Sequence, residues 1–263
     1  MNLTVMLLII FFIALLMTMT GRGGGNFYVL ALVLSGISMH ESASAGQFIL
    51  FVSSLSATLV FGRNKTVEWK LVLFIGGITA LSAFFGGLFS QYFSGKTLKF
   101  VFSFFLLIAA ILMLRPVEEK KNGRNKQPGF WILKSGDYEY FINLKMAVPV
   151  IIATGFGAGM VGVSGGSFLV PLMVLACGVP MNIAVGTSTT MVAGTALMGF
   201  AGHMVSGHFV PETAVPLAVA AALGGLLGGS FAIKAKPAFL KKLFAVTTLI
   251  ASIVMVINAL LTK

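Results

Sequence analysis

The chain has 263 residues, 57% of them hydrophobic and only 10% charged, with a mean hydropathy of +1.00. A soluble domain carries roughly a quarter charged residues to solvate its surface, so this composition excludes a water-soluble globule and makes lipid the main solvent. The net charge of +11 does not signal a nucleic-acid partner: the Lys and Arg residues stand in short stretches between apolar runs, where the positive-inside bias sets them against an anionic leaflet.

Taken in chain order, residues 3–20 form a first apolar helix. They lack a basic leader and a small-residue cleavage site, so they are read as part of the fold and not as a secretory signal. A glycine-rich break at 21–25 and a short apolar piece at 26–37 follow. Three longer helices are predicted near 42–62, 67–93 and 97–115. Residues 116–144 form a polar stretch whose Trp131, Tyr138, Tyr140 and Phe141 suit it to the membrane interface; it is read as a cytoplasmic connector without chemistry of its own. The series then recurs, with a helix at 145–161, a break at 162–166, a short piece at 167–178 and helices near 183–204, 210–234 and 238–261.

Runs free of charge at 71–90, 100–114, 213–231 and 243–261 match a hydrocarbon core of about 30 Å, which takes about 20 helical residues. They are continuously apolar, which rules out the alternating strands of a barrel. The short pieces reach roughly 18 Å as helices, too little to cross upright. The fold class is therefore an all-α polytopic membrane protein of about eight long helices, in two units at 1–115 and 145–263.

The units are copies of one another. Gly21, Gly24, Gly25, Phe27 and Val29 match Gly162, Gly165, Gly166, Phe168 and Val170 at a spacing of 141. After a one-residue gap, a spacing of 142 relates Gly36 to Gly178, Met39 to Met181, Gly86-Gly87 to Gly228-Gly229, and Leu98-Lys99 to Leu240-Lys241. Short pieces that stay on one side make the units parallel, with 11 basic residues inside and 6 outside; short pieces that change sides make them inverted, with 14 and 3 when Arg22 is set aside. The positive-inside rule favours inverted repeats. Small residues four apart, Gly224/Gly228, Gly225/Gly229, Ser82/Gly86 and Ala83/Gly87, are read as helix-packing faces.

The two breaks carry the functional signal. Backbone interrupted at membrane depth survives only under protein cover or beside a wet cavity. Each new helical segment begins with amides that lack intrahelical acceptors and bear the positive end of the dipole. Two such ends meeting near the midplane make an anion site, with Gly24, Gly25, Gly165 and Gly166 supplying backbone donors; otherwise the glycines simply permit tight turns. Arg22 sits inside the first break and is either a substrate-pairing group or a residue of an interfacial turn. Ser164 stands in the second break. Thr187 and Ser188 open a hydroxyl-rich helix, matched by Ser42, Ser44, Gln47, Ser53 and Ser54 in the first unit; such hydroxyls also cap and cross-link helices.

The 7 acidic residues avoid the long apolar runs, where a cation or proton pump normally carries a carboxylate. Glu41 beside His40 is the nearest proton-site candidate, and His203 and His208 flank a turn. The single cysteine, Cys177, excludes an internal disulfide or cysteine metal site, and no cofactor or metal is expected.

Gly162-Val163-Ser164-Gly165-Gly166-Ser167-Phe168-Leu169-Val170-Pro171-Leu172, with Gly178-Val179-Pro180 and Ala184-Val185-Gly186-Thr187-Ser188, resembles the signature of the sulfite exporter TauE/SafE family. The first unit is looser, with Leu30 where Pro171 would match and Ser44-Ala45-Gly46 in place of Gly-Thr-Ser. The resemblance implies a multi-pass transporter of the bacterial cytoplasmic membrane carrying sulfite, sulfonates or related organic anions, with protons as a candidate coupling ion. Two other readings compete. A passive anion channel would share the fold. An intramembrane serine protease would use the G-x-S-G at 162–165, with Ser164 as nucleophile and His203 as base.

Overall fold

The computed structural model describes residues 3–92, 94, 107, 111, 130–135, 138–205, 207 and 209–261. Its elements are α1 (Leu3–Met19), α2 (Gly25–Leu34), α3 (Met39–Arg63), α4 (Trp69–Tyr92), β1 (Phe130–Ser135), β2 (Tyr138–Asn143), α5 (Leu144–Val161), α6 (Gly166–Ala176), α7 (Met181–Val205), α8 (Pro211–Lys234) and α9 (Pro237–Leu261). Among the described residues, five helices are long and apolar enough to cross a bilayer: α3, α4, α7, α8 and α9. The helix expected at 97–115 falls almost wholly outside the described residues, as does His208.

The buried side chains show which helix ends lie together. One cluster holds the start of α1 (Met6, Ile10), the end of α2 (Leu32), the start of α3 (Ala45, Ile49) and the start of α8 (Ala214, Leu217). Another holds the end of α3 (Ala57, Phe61), the starts of α4 (Leu71, Ile75), α5 (Ala147, Ile151), α7 (Met181, Ala184) and α9 (Leu240, Phe244), and the end of α6 (Val174, Cys177). So α1 enters from one end of the bundle and α2 returns to it, while α5 and α6 do the same from the opposite end. This refines the expectation of four long helices per unit: the first helix and the short piece form a re-entrant hairpin. α2 and α6 each hold about ten residues and rise about 15 Å, half the thickness of the hydrocarbon. Their glycine breaks therefore lie inside the bundle, away from the end at which each hairpin enters.

Arg63, Lys65, Lys70, Lys145, Lys234, Lys236, Lys241 and Lys242 border the second cluster's end, the end that the positive-inside rule favours as cytoplasmic. There the connector adds an antiparallel hairpin to the all-helical bundle, with Leu133 opposite Tyr140. Aromatic and β-branched residues favour strands, and Leu133, Tyr140 and Ile142 are buried against the bundle. Trp131 packs edge-on against Phe74 of α4, with ring centroids 4.7 Å apart.

Helix contacts follow the small-residue faces. Gly224 and Gly228 of α8 meet the carbonyls of Phe11 and Leu15 in α1, and Gly225 meets that of Ser53 in α3. The matched Gly86 of α4 meets the carbonyl of Phe156 in α5, and Gly87 comes within 2.6 Å, measured from a built Cβ, of the Gly199 carbonyl in α7. Leu15 and Phe156 are themselves a matched pair, 141 positions apart. Backbones this close exclude any side chain, which supplies the packing attraction that lipid does not.

Topology is directly testable. Ser38, in the turn after α2, and Asn182, after α6, are both exposed. In a Cys177→Ser background, Ser38→Cys should react with a membrane-impermeant maleimide on intact cells. Asn182→Cys should react only after permeabilisation. Labelling of both from one side would refute the opposed hairpins.

Candidate functional site at the meeting of two helix breaks

The two breaks touch. A Cβ on Gly25 would stand 2.8 Å from the Ser164 amide nitrogen and 3.0 Å from Val163 Cα. A Cβ on Gly166 would stand 2.5 Å from the Gly21 carbonyl oxygen and 2.9 Å from Arg22 Cα. These contacts are reciprocal, since Gly25 matches Gly166 and Arg22 matches Val163. The flanking helices repeat the pattern: Gly21 lies against Val185 of α7, and Gly162 against the matched Ala43 of α3. Left-handed backbone at Gly21 (φ 77°), Gly24 (φ 97°) and Gly162 (φ 76°) makes the reversals, which residues with a Cβ rarely adopt.

All ten residues of 21–25 and 162–166 are buried. Among the described residues, the amides of Gly24, Gly25 and Asn26, and those of Gly165, Gly166 and Ser167, have no recorded acceptor. They are the orphan donors expected where a helix starts. Gly25, Gly166 and Ser164 thus come together where the breaks touch, whereas Gly24 faces Tyr28 and Ile13 and Gly165 faces Thr154, Thr79 and Leu169. Ser188 joins them by donating to the Gly21 carbonyl at 2.8 Å. Thr187 does not: its hydroxyl accepts from the Glu68 amide at 2.9 Å and anchors the turn between α3 and α4.

Arg22 is 1% exposed. Its Nε donates to Ser167 Oγ at 2.9 Å, and its Nη1 to Thr248 Oγ1 at 2.9 Å and Thr247 Oγ1 at 3.3 Å. The threonine protons are already committed to the carbonyls of Phe244 and Leu243, leaving lone pairs for the guanidinium. The ring of Phe244 lies 5.5 Å from Arg22 Cζ, within cation–π range. No carboxylate among the described residues bonds this charge, and none accepts from Nη2. A cation at membrane depth costs about 2.5–3.5 kcal/mol even on lenient insertion scales, and neutral hydroxyls solvate it without neutralising it. A groove of about 460 Å³ lies between α1, α2 and α9, with Thr247 the polar residue in its otherwise apolar wall.

Ser167, Thr247, Thr248 and Phe244 went unnoticed in the sequence. The adjacent threonines in an uncharged run were a visible signal, but their partner lies more than 200 positions away. The surface candidates separate from the site: His40 and Glu41 lie at the exposed turn that begins α3. His203 is buried, with Nε2 2.9 Å from the Gly159 carbonyl and Nδ1 3.4 Å from Ser90 Oγ, so its ring faces α4 and α5 and not Ser164. Among the described residues no three His, Cys, Asp or Glu gather as a metal site.

A multi-pass helical protein whose broken helices meet inside the bundle beside a buried cation has the build of a membrane transporter. The model of the sulfite exporter TauE/SafE family matches residues 6–255, and the chain belongs to that family. It is 27% identical to the probable membrane transporter protein YunE of Bacillus subtilis, over 81% of this chain and 82% of the relative. It is 22% identical to YdhB of the same organism, a probable membrane transporter protein, over 95% and 98%. A probable membrane transporter protein of Methanocaldococcus jannaschii is 23% identical over 88% and 85%. No solved structure matches significantly.

The glycine contacts set up a paired test. Gly166→Ala forces a methyl onto the Gly21 carbonyl, whereas Gly157 has open space at its Cβ. In detergent, Gly166→Ala should lower Tm by several degrees, and Gly157→Ala should leave it unchanged or raise it, as a helical Gly→Ala exchange gains up to about 1 kcal/mol. Equal effects would show that the breaks are not in tight contact.

Proposed function

We propose that the protein is a secondary transporter, working as an exporter, for a small sulfur-containing or organic anion such as sulfite or a sulfonate. The observation that carries this reading is Arg22, buried between neutral hydroxyls, with Nη2 donors to spare and orphan amides of two helix starts nearby. An anion bound there neutralises the guanidinium and satisfies the amides together, and both gains are larger in a medium that excludes water. The family's name supports sulfite and its relatives as cargo.

The breaks pack backbone to backbone, so an anion reaches them when the units part. Two hairpins dipping from opposite faces suit that motion: rocking one unit against the other opens the contact to one side at a time, as inverted repeats do. The contacts of His203 with the Gly159 carbonyl and Ser90 favour this reading over a Ser164–His203 protease. Protons are the coupling ion we assign. Sulfite flux in proteoliposomes with and without a proton gradient separates the alternatives, because a coupled carrier concentrates the anion whereas a passive pore only equilibrates it.

Arg22→Gln keeps a polar side chain without the charge. Counterflow of sulfite should fall at least tenfold in the purified, folded variant. Arg22→Lys should recover part of the rate, because a lysine keeps the charge but lacks the planar fork. Undiminished flux in Arg22→Gln would remove this residue, and with it the proposed site.

A further inference from the structure

Among the described residues, the buried side-chain atoms without a hydrogen-bond partner are Thr18 Oγ1, Asn26 Nδ2 and Oδ1, Ser44 Oγ, Gln47 Oε1 and Ser54 Oγ. Leaving such a group unpaired costs about 1–3 kcal/mol, and in lipid no solvent relieves it. Asn26 stands out, because both ends of its amide are orphaned in a residue that is 4% exposed. It follows Gly25 directly, one position from the contact with the Ser164 amide. Thr18 and Ser54 flank the same break: a Cβ on Gly23 would stand 2.5 Å from Ser54 Oγ.

The repeat shows why Asn26 is not explained by packing. Its matched residue is Ser167, which is occupied by the Nε of Arg22. The residue matched to Arg22 is Val163, an apolar side chain with nothing to offer an amide. An apolar residue at position 26 would be the more stable choice for the protein alone. A buried amide retained without a protein partner, at the start of the helix that follows the Arg22 break, has the character of a ligand contact.

We infer that Asn26 is the neutral hydrogen-bonding half of the anion site, and that among organic anions the site selects those carrying a hydroxyl beside the charged group. Asn26 Nδ2 donates to the anion and Oδ1 accepts from the hydroxyl, while Arg22 takes the charge. An anion without the hydroxyl leaves Oδ1 buried and unpaired, and sites built around a ligand's hydroxyl discriminate strongly against analogues lacking it. The inference rests on reading the meeting breaks as the anion site.

The test uses matched probes binding to the purified full chain by calorimetry: glycolate against acetate, and isethionate against ethanesulfonate. The wild type should bind the hydroxylated member of each pair at least about tenfold more tightly. Asn26→Leu should raise Tm, because it removes an orphaned amide, yet bring the preference down to near unity. Asn26→Ser serves the same purpose if the leucine variant does not fold. Equal binding within both wild-type pairs, binding of neither member, or an unchanged preference in the folded Asn26 variant would overturn the inference. Arg22→Gln keeps the two claims apart. If it abolishes binding of both members while the Asn26 variants change nothing, the anion site stands and the hydroxyl requirement falls. If binding survives in Arg22→Gln, the site reading itself is lost.

Discussion

A polar group in hydrocarbon has nothing but protein to bond with, and the architecture depends on how two interrupted helices meet that constraint. Each break is covered by the other. The approach is backbone on backbone, with Gly25 against the Ser164 amide and Gly166 against the Gly21 carbonyl. Glycine is required there because the neighbour is a main-chain atom that cannot rotate aside. The same logic extends outward: Gly86, Gly224 and Gly228 bring helices onto one another's carbonyls, and Ser188 holds the first break by donating to Gly21. Thr187, in the same hydroxyl-rich stretch, is instead spent on the turn before α4.

The frame is close to twofold, but its polar contents are not. Where the first unit has Arg22 the second has Val163. Ser167 is engaged, while its counterpart Asn26 is orphaned. Thr247 and Thr248, which steady the guanidinium, correspond to Phe105 and Leu106 in the sequence. The buried charge and the unpaired amide thus both sit where the second stretch of sequence departs from the first.

The basic end is finished differently from the opposite one. The connector's hairpin lays Leu133, Tyr140 and Ile142 against the ends of several helices and sets Trp131 on Phe74. The aromatic residues that suit this connector to the interface are thus partly spent on packing against the helix ends. The hairpin's burial explains why the strands form: two short strands are marginal in water but hold when a packed apolar surface covers one face.

Composition and periodicity were enough for the membrane class, the breaks and the small-residue packing faces, because each is a local property of the chain. The bias of Lys and Arg likewise favoured the end that faces the cytoplasm. What no stretch of sequence contains is how distant stretches meet. The fold-back of α1 and α2 depends on which helix ends share a core, and the solvation of Arg22 depends on Thr247 and Thr248 arriving from the last helix. The orphaned amide of Asn26 shows only when every neighbour is in place. Local chemistry limits the elements a segment can form, but the partner of a buried polar group is decided by long-range packing, and in lipid that partner determines whether the group is a structural bond or a ligand site.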